Sequence, residues 1–182
     1  MNMQQIDEAI LLFIREHLVS DPVTVFLGLF TNLGDAGLLW IIIGILLLRY
    51  ASTRKGALVY FISLGSAAAV CNLVIKPIVG RARPYETIAG FEPLVEPLSS
   101  FSFPSGHACS SFAAAAALVM IFGKKAAWAF VPAAIIAISR PYLGVHYVSD
   151  VVCGALLGAA VSAAVVLIFR KKTGFLEAGR DA

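Results

Sequence analysis

Long apolar stretches alternate with short polar connections along most of this chain. Four stretches, at about 55–79, 105–122, 125–142 and 149–170, meet or approach the roughly 20 apolar residues that a helix needs to cross a bilayer. A fifth, "DAGLLWIIIGILLLRY", reaches that length only if its helix begins near Thr31. No Ser/Pro-rich or highly charged linker separates two halves, so the pattern predicts one membrane-embedded domain over residues 1–182.

Residues 1–32 allow two interpretations. The apolar residues of "IDEAILLFIREHL" lie largely along one side of a helix, but four charged residues interrupt its hydrophobicity. Such a helix can lie in the membrane interface. Alternatively, it forms a first span together with "DPVTVFLGLF". We favour this alternative, which makes the chain an all-α integral membrane protein with a bundle of about six transmembrane helices.

The composition supports the same class. Hydrophobic residues make up 59% of the chain, charged residues make up 14%, and the mean hydropathy is +0.87, which excludes an ordinary soluble domain. Each of the three cysteines lies inside an apolar run, without paired or metal-ligand spacing, so we interpret them as buried small side chains.

Basic residues indicate how the bundle is oriented. Nine of the fourteen fall on one side under this topology: Arg49, Arg54, Lys55, Lys124, Lys125, Arg170, Lys171, Lys172 and Arg180. Cytoplasmic connections carry an excess of Lys and Arg, so this side is predicted to face the cytoplasm. The net charge of +3 is explained by these clusters, and we predict no nucleic-acid partner.

Four further basic residues fall together on the opposite, outer side, which the charge rule does not explain: Lys76, Arg81, Arg83 and Arg140. Within "KPIVGRARP", Lys76 and Arg83 stand seven residues apart, nearly two turns, and share a face if the helix persists past Pro77 and Gly80. The guanidinium fork and the ammonium group suit a phosphoryl group. The alternative is a basic collar that contacts lipid headgroups.

A second polar motif, "FPSGHACSSF", precedes a helix of small residues. Ser105 is predicted to cap this helix, so that Ser105, Gly106 and His107 could bind an anion with the unpaired N–H groups of the first turn. The alternative is an ordinary capped helix in which His107 lies at headgroup level.

The third motif, "SRPYLGVHYVSD", contains Arg140, His146 and Asp150. The i, i+4 spacing of His146 and Asp150 places both side chains on one face if they share a helix. A carboxylate bonded to one imidazole nitrogen leaves the other free as a nucleophile. The alternative is a helix start at which Asp150 interacts with the dipole and His146 is passive.

Taken in order, these motifs resemble the three-part signature of the type 2 phosphatidic acid phosphatase superfamily. The resemblance covers residues 76–150, comprising Lys76 with Arg83 and Pro84, then "PSGH", then "SR" followed by His146 and Asp150 at the family's spacing. The third part differs from the commoner wording mainly at Pro141 and Val148. Arg81 matches no fixed motif position and is interpreted as a secondary contact.

The resemblance implies hydrolysis of a lipid phosphate through a phosphohistidine. His146 would be the nucleophile, Asp150 would orient its ring, and His107 would be the general acid. The phosphate would be held by Lys76, Arg83, Arg140, Ser105 and Gly106. No metal or cofactor is implied, and of eleven acidic residues only Asp150 belongs to the motifs.

The resemblance to small bacterial members favours undecaprenyl diphosphate as substrate, with phosphatidylglycerophosphate and phosphatidic acid as competitors. The distribution of basic residues predicts an active site on the extracytoplasmic face of the cell membrane, and the oligomeric state stays open. The rival interpretations are a non-catalytic lipid-phosphate binder or transporter, and a vanadium haloperoxidase, which the membrane body disfavours. The connection from Tyr85 to Phe103 would either shape the access of the lipid or be a loop that its aromatic side chains anchor at the interface. Gly154 and Gly158 are predicted to serve helix packing.

Overall fold

The computed structural model describes residues 1–173, which are helical apart from turns and one long connection, with no strand in this range. The helices are α1 Met3–His17, α2 Asp21–Gly34, α3 Leu38–Arg49, α4 Arg54–Ala69, α5 Lys76–Val79, α6 Pro84–Thr87, α7 Gly106–Phe122, α8 Phe130–Tyr142 and α9 Val148–Thr173. A π-helical segment, Val70–Ile75, joins α4 to α5. Arg180, assigned above to the cytoplasmic side, lies outside the described residues.

Three helical stretches are long and apolar enough to cross a membrane: Asp21–Arg49, Arg54–Thr87 and Val148–Lys172. Only 28–33% of their most apolar windows is buried, because large apolar side chains such as Leu73 and Leu156 face outward. A surface of this kind suits lipid and not water. The predicted all-helical membrane class is confirmed. The described residues form six long helical segments when α2–α3 and α4–α5 are each counted as one, consistent with the predicted number.

The two parts of residues 1–32 do not form one helix. The first part, α1, is capped by Asn2, whose Oδ1 accepts a hydrogen bond of 2.9 Å from the backbone N–H of Gln5, and it ends at His17. Pro22 then starts α2, which runs into α3 across a kink at Asp35–Gly37. The kink requires positive φ angles at Ala36 and Gly37. The apolar stretch 21–49 is therefore a single kinked unit, and α1 is a separate amphipathic helix that packs against α8 and α9.

The closest helix pair is α7 with α9. A Cβ atom added to Gly158 would lie 2.0 Å from the carbonyl oxygen of Cys109, and one added to Gly154 would lie 2.5 Å from that of Ser105. Only glycine permits this approach of the two backbones. The Ser162 hydroxyl, which donates to the Ala113 carbonyl at 2.7 Å, adds a bond between the same helices. The interpretation of both glycines as packing residues is confirmed.

Two large polar side chains inside the bundle, those of Trp40 and Tyr60, have hydrogen-bond partners. The Trp40 indole N–H donates to the Ser111 hydroxyl at 2.9 Å, and the Tyr60 hydroxyl donates to the Trp40 carbonyl at 2.8 Å. These bonds link α3 to α7 and α4 through buried groups, where an unmade hydrogen bond would be costly. Cys71 and Cys109 are buried, as predicted, whereas Cys153 is only half-buried.

Candidate active site

The three polar motifs meet at one end of the bundle, where α5 and α8 end and where α7 and α9 begin. The second motif touches the third, because the backbone N–H of Ser105 donates to the Asp150 carbonyl at 3.0 Å. The first also touches the third, because Arg83 NH1 donates to the carbonyl of Val145, the neighbour of His146, at 2.6 Å. Residues far apart in the chain therefore form a single site.

His146 and Asp150 form the buried centre of this site. His146 precedes α9, whereas Asp150 lies in its first turn, so the two residues do not share a helix. Their side chains nevertheless meet, with His146 Nδ1 3.5 Å from Asp150 Oδ2. Ser102 Oγ donates to the same carboxylate oxygen at 2.5 Å and lies 3.4 Å from Nδ1. Asp150 and Ser102 both approach the His146 ring at Nδ1, the nitrogen opposite Nε2.

The environment of His146 favours its neutral form. Burial of the imidazole lowers the pKa of His146 to about 3. The nearby positive charges of Arg83 and Arg140 act in the same direction, whereas the hydrogen bond with Asp150 opposes them. A neutral imidazole retains the lone pair that a nucleophile needs.

Lys76 and Arg83 converge by a route that differs from the prediction. Gly80 takes a φ of +59° and ends α5, so no helix continues to Arg83 and the condition for a shared helical face is not met. Both side chains instead turn toward the segment 100–104. The Lys76 ammonium donates to the carbonyls of Phe101 at 2.8 Å and Pro104 at 3.1 Å, and Arg83 Nε donates to the Ser100 carbonyl at 2.6 Å. Both residues are buried.

Arg140 is 3% exposed and incompletely paired. Its NH1 donates to the Thr31 hydroxyl, but its Nε finds no hydrogen-bond partner in the part of the chain that the structure describes. An unpaired buried donor costs about 1–3 kcal/mol, which an anionic oxygen would offset. Together with Lys76 and Arg83, Arg140 gives the site three buried cations, which are suited to binding a negatively charged group.

Ser105, Gly106 and His107 form the start of α7. Ser105 is the predicted cap, with its hydroxyl oxygen 3.5 Å from the backbone N–H of Ala108. His107 Nε2 lies 2.9 Å from Asp35 Oδ1, at the kink between α2 and α3. Gly34 packs directly on the imidazole, since a Cβ atom there would lie 2.6 Å from Cδ2 of His107.

An apolar cavity of about 510 Å³ lies beside His107. Its walls come from α3, α4 and α7, with side chains such as Ile41, Phe61 and Leu64, and Gly106 and His107 also line it. A mostly apolar cavity that includes a few polar groups is typical of a ligand site.

The structure adds residues that the sequence reasoning missed. Ser102 carried no signal, because it is one of several serines in a polar connection. Asp35 could have been noticed as the acid inside "TNLGDAGLL", where it interrupts a long apolar stretch. In residues 1–173, no group of three or more His, Cys, Asp or Glu side chains is placed to hold a metal ion.

Comparison with known proteins gives consistent matches. The family model of the PAP2 superfamily matches residues 56–174. The chain is 34% identical over 119 residues to lipid A 4′-phosphatase of Bacteroides thetaiotaomicron, covering 57% of this chain, and 33% identical over 125 residues to undecaprenyl-diphosphatase of Sulfolobus acidocaldarius, covering 68%. The matched segments span only 51% and 60% of these two relatives.

A solved structure extends the similarity to most of the chain. The transmembrane PAP2 type phosphatidylglycerolphosphate phosphatase from Bacillus subtilis aligns with a TM-score of 0.75 and 33% identity. The alignment covers 94% of this chain and 88% of that protein.

Proposed function

Because the chain belongs to the PAP2 superfamily, we propose that it is an integral membrane phosphatase that removes phosphate from a lipid phosphate or diphosphate. One observation carries the proposal. Three buried cationic side chains, those of Lys76, Arg83 and Arg140, accompany the His146–Asp150 pair at one end of an apolar bundle. Cations held in this way suit the oxygens of a phosphate, and a neutral imidazole beside a carboxylate suits attack on phosphorus.

The reaction proceeds in two steps. His146 Nε2 attacks the phosphorus and forms a P–N bond while the P–O bond to the lipid breaks, and His107 donates a proton to the departing oxygen. A water molecule then attacks the phosphohistidine and gives a proton to His107, the P–N bond breaks, and phosphate leaves. Asp150 orients the His146 ring and stabilises its positive charge in the intermediate, which the contact at Nδ1 supports.

Charge on the transferred phosphoryl group is neutralised by the protein. The negative charge spreads over the equatorial oxygens, which Lys76, Arg83 and Arg140 bind together with the Ser105 hydroxyl and the N–H groups of Gly106 and His107. The unpaired Nε of buried Arg140 supports this assignment, because a phosphate oxygen would complete its hydrogen bonding. These cations take the part that metal ions play in other phosphatases, so the reaction is metal-independent.

Undecaprenyl diphosphate is the favoured substrate. The named activity of the Sulfolobus acidocaldarius relative supports it, and the apolar cavity beside His107 offers space for part of a lipid chain next to the general acid. Phosphatidylglycerophosphate and phosphatidic acid present the same phosphate chemistry and are the competing substrates. The active site faces the extracytoplasmic side of the cell membrane, which the separation of the basic clusters from the site supports.

A phosphate-release assay on the three lipids tests the proposal. We expect the purified protein to release phosphate from at least one of them in EDTA, with no requirement for Mg²⁺. His146→Ala should lower turnover by at least about a thousandfold, because it removes the nucleophile. His17→Ala is the matched control, since His17 is exposed on α1 and should leave turnover unchanged.

Three results would count against the proposal. A folded wild-type protein that binds the lipids without releasing phosphate would be a binder or a transporter. If His146→Ala retains full activity, His146 is not the nucleophile. Loss of activity in EDTA with recovery on adding Mg²⁺ would contradict the metal-independent reaction.

A further inference from the structure

Besides the three cations assigned to the phosphate, the site contains a fourth, Arg81, which lies beside Asp150 and has no part in the proposed reaction. Arg81 NH1 donates to Asp150 Oδ1 at 2.6 Å and to the Ser149 hydroxyl at 2.8 Å. The other oxygen, Oδ2, accepts from Ser102 and from the backbone N–H of Tyr147. The carboxylate proposed to orient His146 is therefore held at both oxygens, and Arg81 is the one Lys or Arg of the described residues that lies within ion-pair distance of it.

Arg81 is itself held by the N-terminal helix. Its NH2 donates to Asp7 Oδ2 at 2.8 Å and to Gln4 Oε1 at 2.6 Å, and both acceptors come from α1. The guanidinium also lies 3.9 Å above the centre of the Tyr147 ring. With both terminal nitrogens engaged, Arg81 is poorly placed to act as a further phosphate ligand.

Asp7 is unusually well buried for an acidic residue of an amphipathic helix. Its side chain is 3% exposed, although it belongs to an amphipathic helix with many exposed positions. Besides Arg81, it accepts hydrogen bonds from the backbone N–H and the hydroxyl of Ser149, which adjoins Asp150. Burying a carboxylate is costly unless it is paired, and simple attachment to lipid does not require it.

We propose that Arg81 and Asp7 are positioning residues that hold the Asp150 carboxylate against His146, so that α1 is part of the catalytic apparatus. The inference rests on the proposed phosphatase function, in which His146 is the nucleophile. Asp7 shares the charge of Arg81, so the guanidinium fixes Asp150 without withdrawing its negative charge from the imidazole. Loss of either residue frees the carboxylate to rotate, and small misplacements of catalytic groups reduce rates strongly.

Kinetics of three variants test the inference. Asp7→Asn removes the charge with little change in shape, Arg81→Met removes the cation, and Arg81→Lys keeps a positive charge. We expect Asp7→Asn and Arg81→Met to lower kcat on the order of 10–100-fold, with little change in KM, and Arg81→Lys to recover part of the loss. Glu16→Gln is the control, because it removes an exposed acid from the same helix and should leave kcat unchanged.

A spectroscopic measurement separates this inference from the proposed function. In protein labelled with ¹⁵N-histidine, the Nδ1 signal of His146 reports its contact with Asp150 whether or not any lipid is hydrolysed. We expect it to move in Asp7→Asn and Arg81→Met and to remain in place in Glu16→Gln. Thermal unfolding of each variant identifies those that fold.

Distinct outcomes would overturn the inference. An unchanged His146 signal together with unchanged kcat in folded Asp7→Asn and Arg81→Met would show that these residues do not act through Asp150. An increase in KM at constant kcat in Arg81→Met would make Arg81 a phosphate contact. If the wild-type protein releases no phosphate, the proposed function fails, and the movement of the His146 signal still decides whether Arg81 and Asp7 hold Asp150.

Discussion

At the level of single residues, burial decides what His146 can do. The imidazole is 2% exposed, lies near two arginines and contacts Asp150 through Nδ1. An exposed histidine would be partly protonated near neutral pH and would lose its lone pair. Here the lowered pKa keeps the ring neutral, and the Asp150 carboxylate lies where it would stabilise the charge that develops in the proposed attack.

The protonation of His146 gives a direct prediction. Because its pKa is lowered to about 3, we expect the ring to remain neutral as the pH falls through the range in which an ordinary histidine takes up a proton, about 6.5. An NMR titration of ¹⁵N-histidine protein between pH 8 and pH 5, with His146 assigned from the His146→Ala spectrum, measures this. A His146 midpoint between about pH 6 and pH 7 would contradict the buried, cation-flanked environment.

At the level of elements, close helix contact sets the geometry of the site. The bond from the Ser105 backbone N–H to the Asp150 carbonyl joins the starts of α7 and α9, and the glycines of α9 allow the two backbones to approach. The Asp35–Gly37 kink similarly brings α2 against His107. Short contacts between helix ends therefore hold the proposed catalytic residues, and these contacts depend on small side chains.

Replacing Gly158 by alanine tests this packing. The added methyl group would lie 2.0 Å from the Cys109 carbonyl oxygen, so α9 must move away from α7. We expect a loss of stability of about 1–3 kcal/mol, measured as a lower thermal midpoint in detergent, together with reduced activity. Gly28→Ala is the control, because no atom lies within 4 Å of its added Cβ and alanine is the better helix former. Equal midpoints for Gly158→Ala and the wild type would contradict the tight packing.

At the level of the whole molecule, the two ends of the bundle differ in chemistry. The site end collects buried cations and the His146–Asp150 pair, whereas the opposite end carries Lys124, Lys125 and the basic residues near the end of α9. Exposed basic residues favour the cytoplasmic side, and buried cations near the membrane need an anionic partner. This division supports an outward-facing site.

Labelling of introduced cysteines tests the orientation. In a protein whose three native cysteines are replaced by alanine, Glu96→Cys places a thiol in the exposed connection beside the site, and Lys125→Cys places one at the opposite end. We expect a membrane-impermeant maleimide to label Glu96→Cys in intact cells and to label Lys125→Cys only after the cells are permeabilised. The reverse pattern would place the site in the cytoplasm.

Much of this protein could be predicted without coordinates. The length of the apolar stretches indicated the membrane class, and Ser105 was recognised as a cap because capping depends on neighbouring residues. The shared helical face of Lys76 and Arg83 was conditional on a helix that continues past Gly80, and a left-handed Gly80 ends that helix. The favoured interpretation of residues 1–32 joined α1 to α2 for a similar reason, since the hydrophobicity continues where the helix does not.

The sequence by itself determined the class of the protein and the chemistry of its motifs, since apolar length and side-chain type are properties of short segments. Only the tertiary structure decided which groups support those motifs. Asp35 reaches His107 through a kink, Ser102 reaches Asp150 from a long connection, and Asp7 reaches Arg81 from a separate helix. Such contacts depend on the directions in which turns send distant segments, and these directions cannot be deduced from the spacing of residues along the chain.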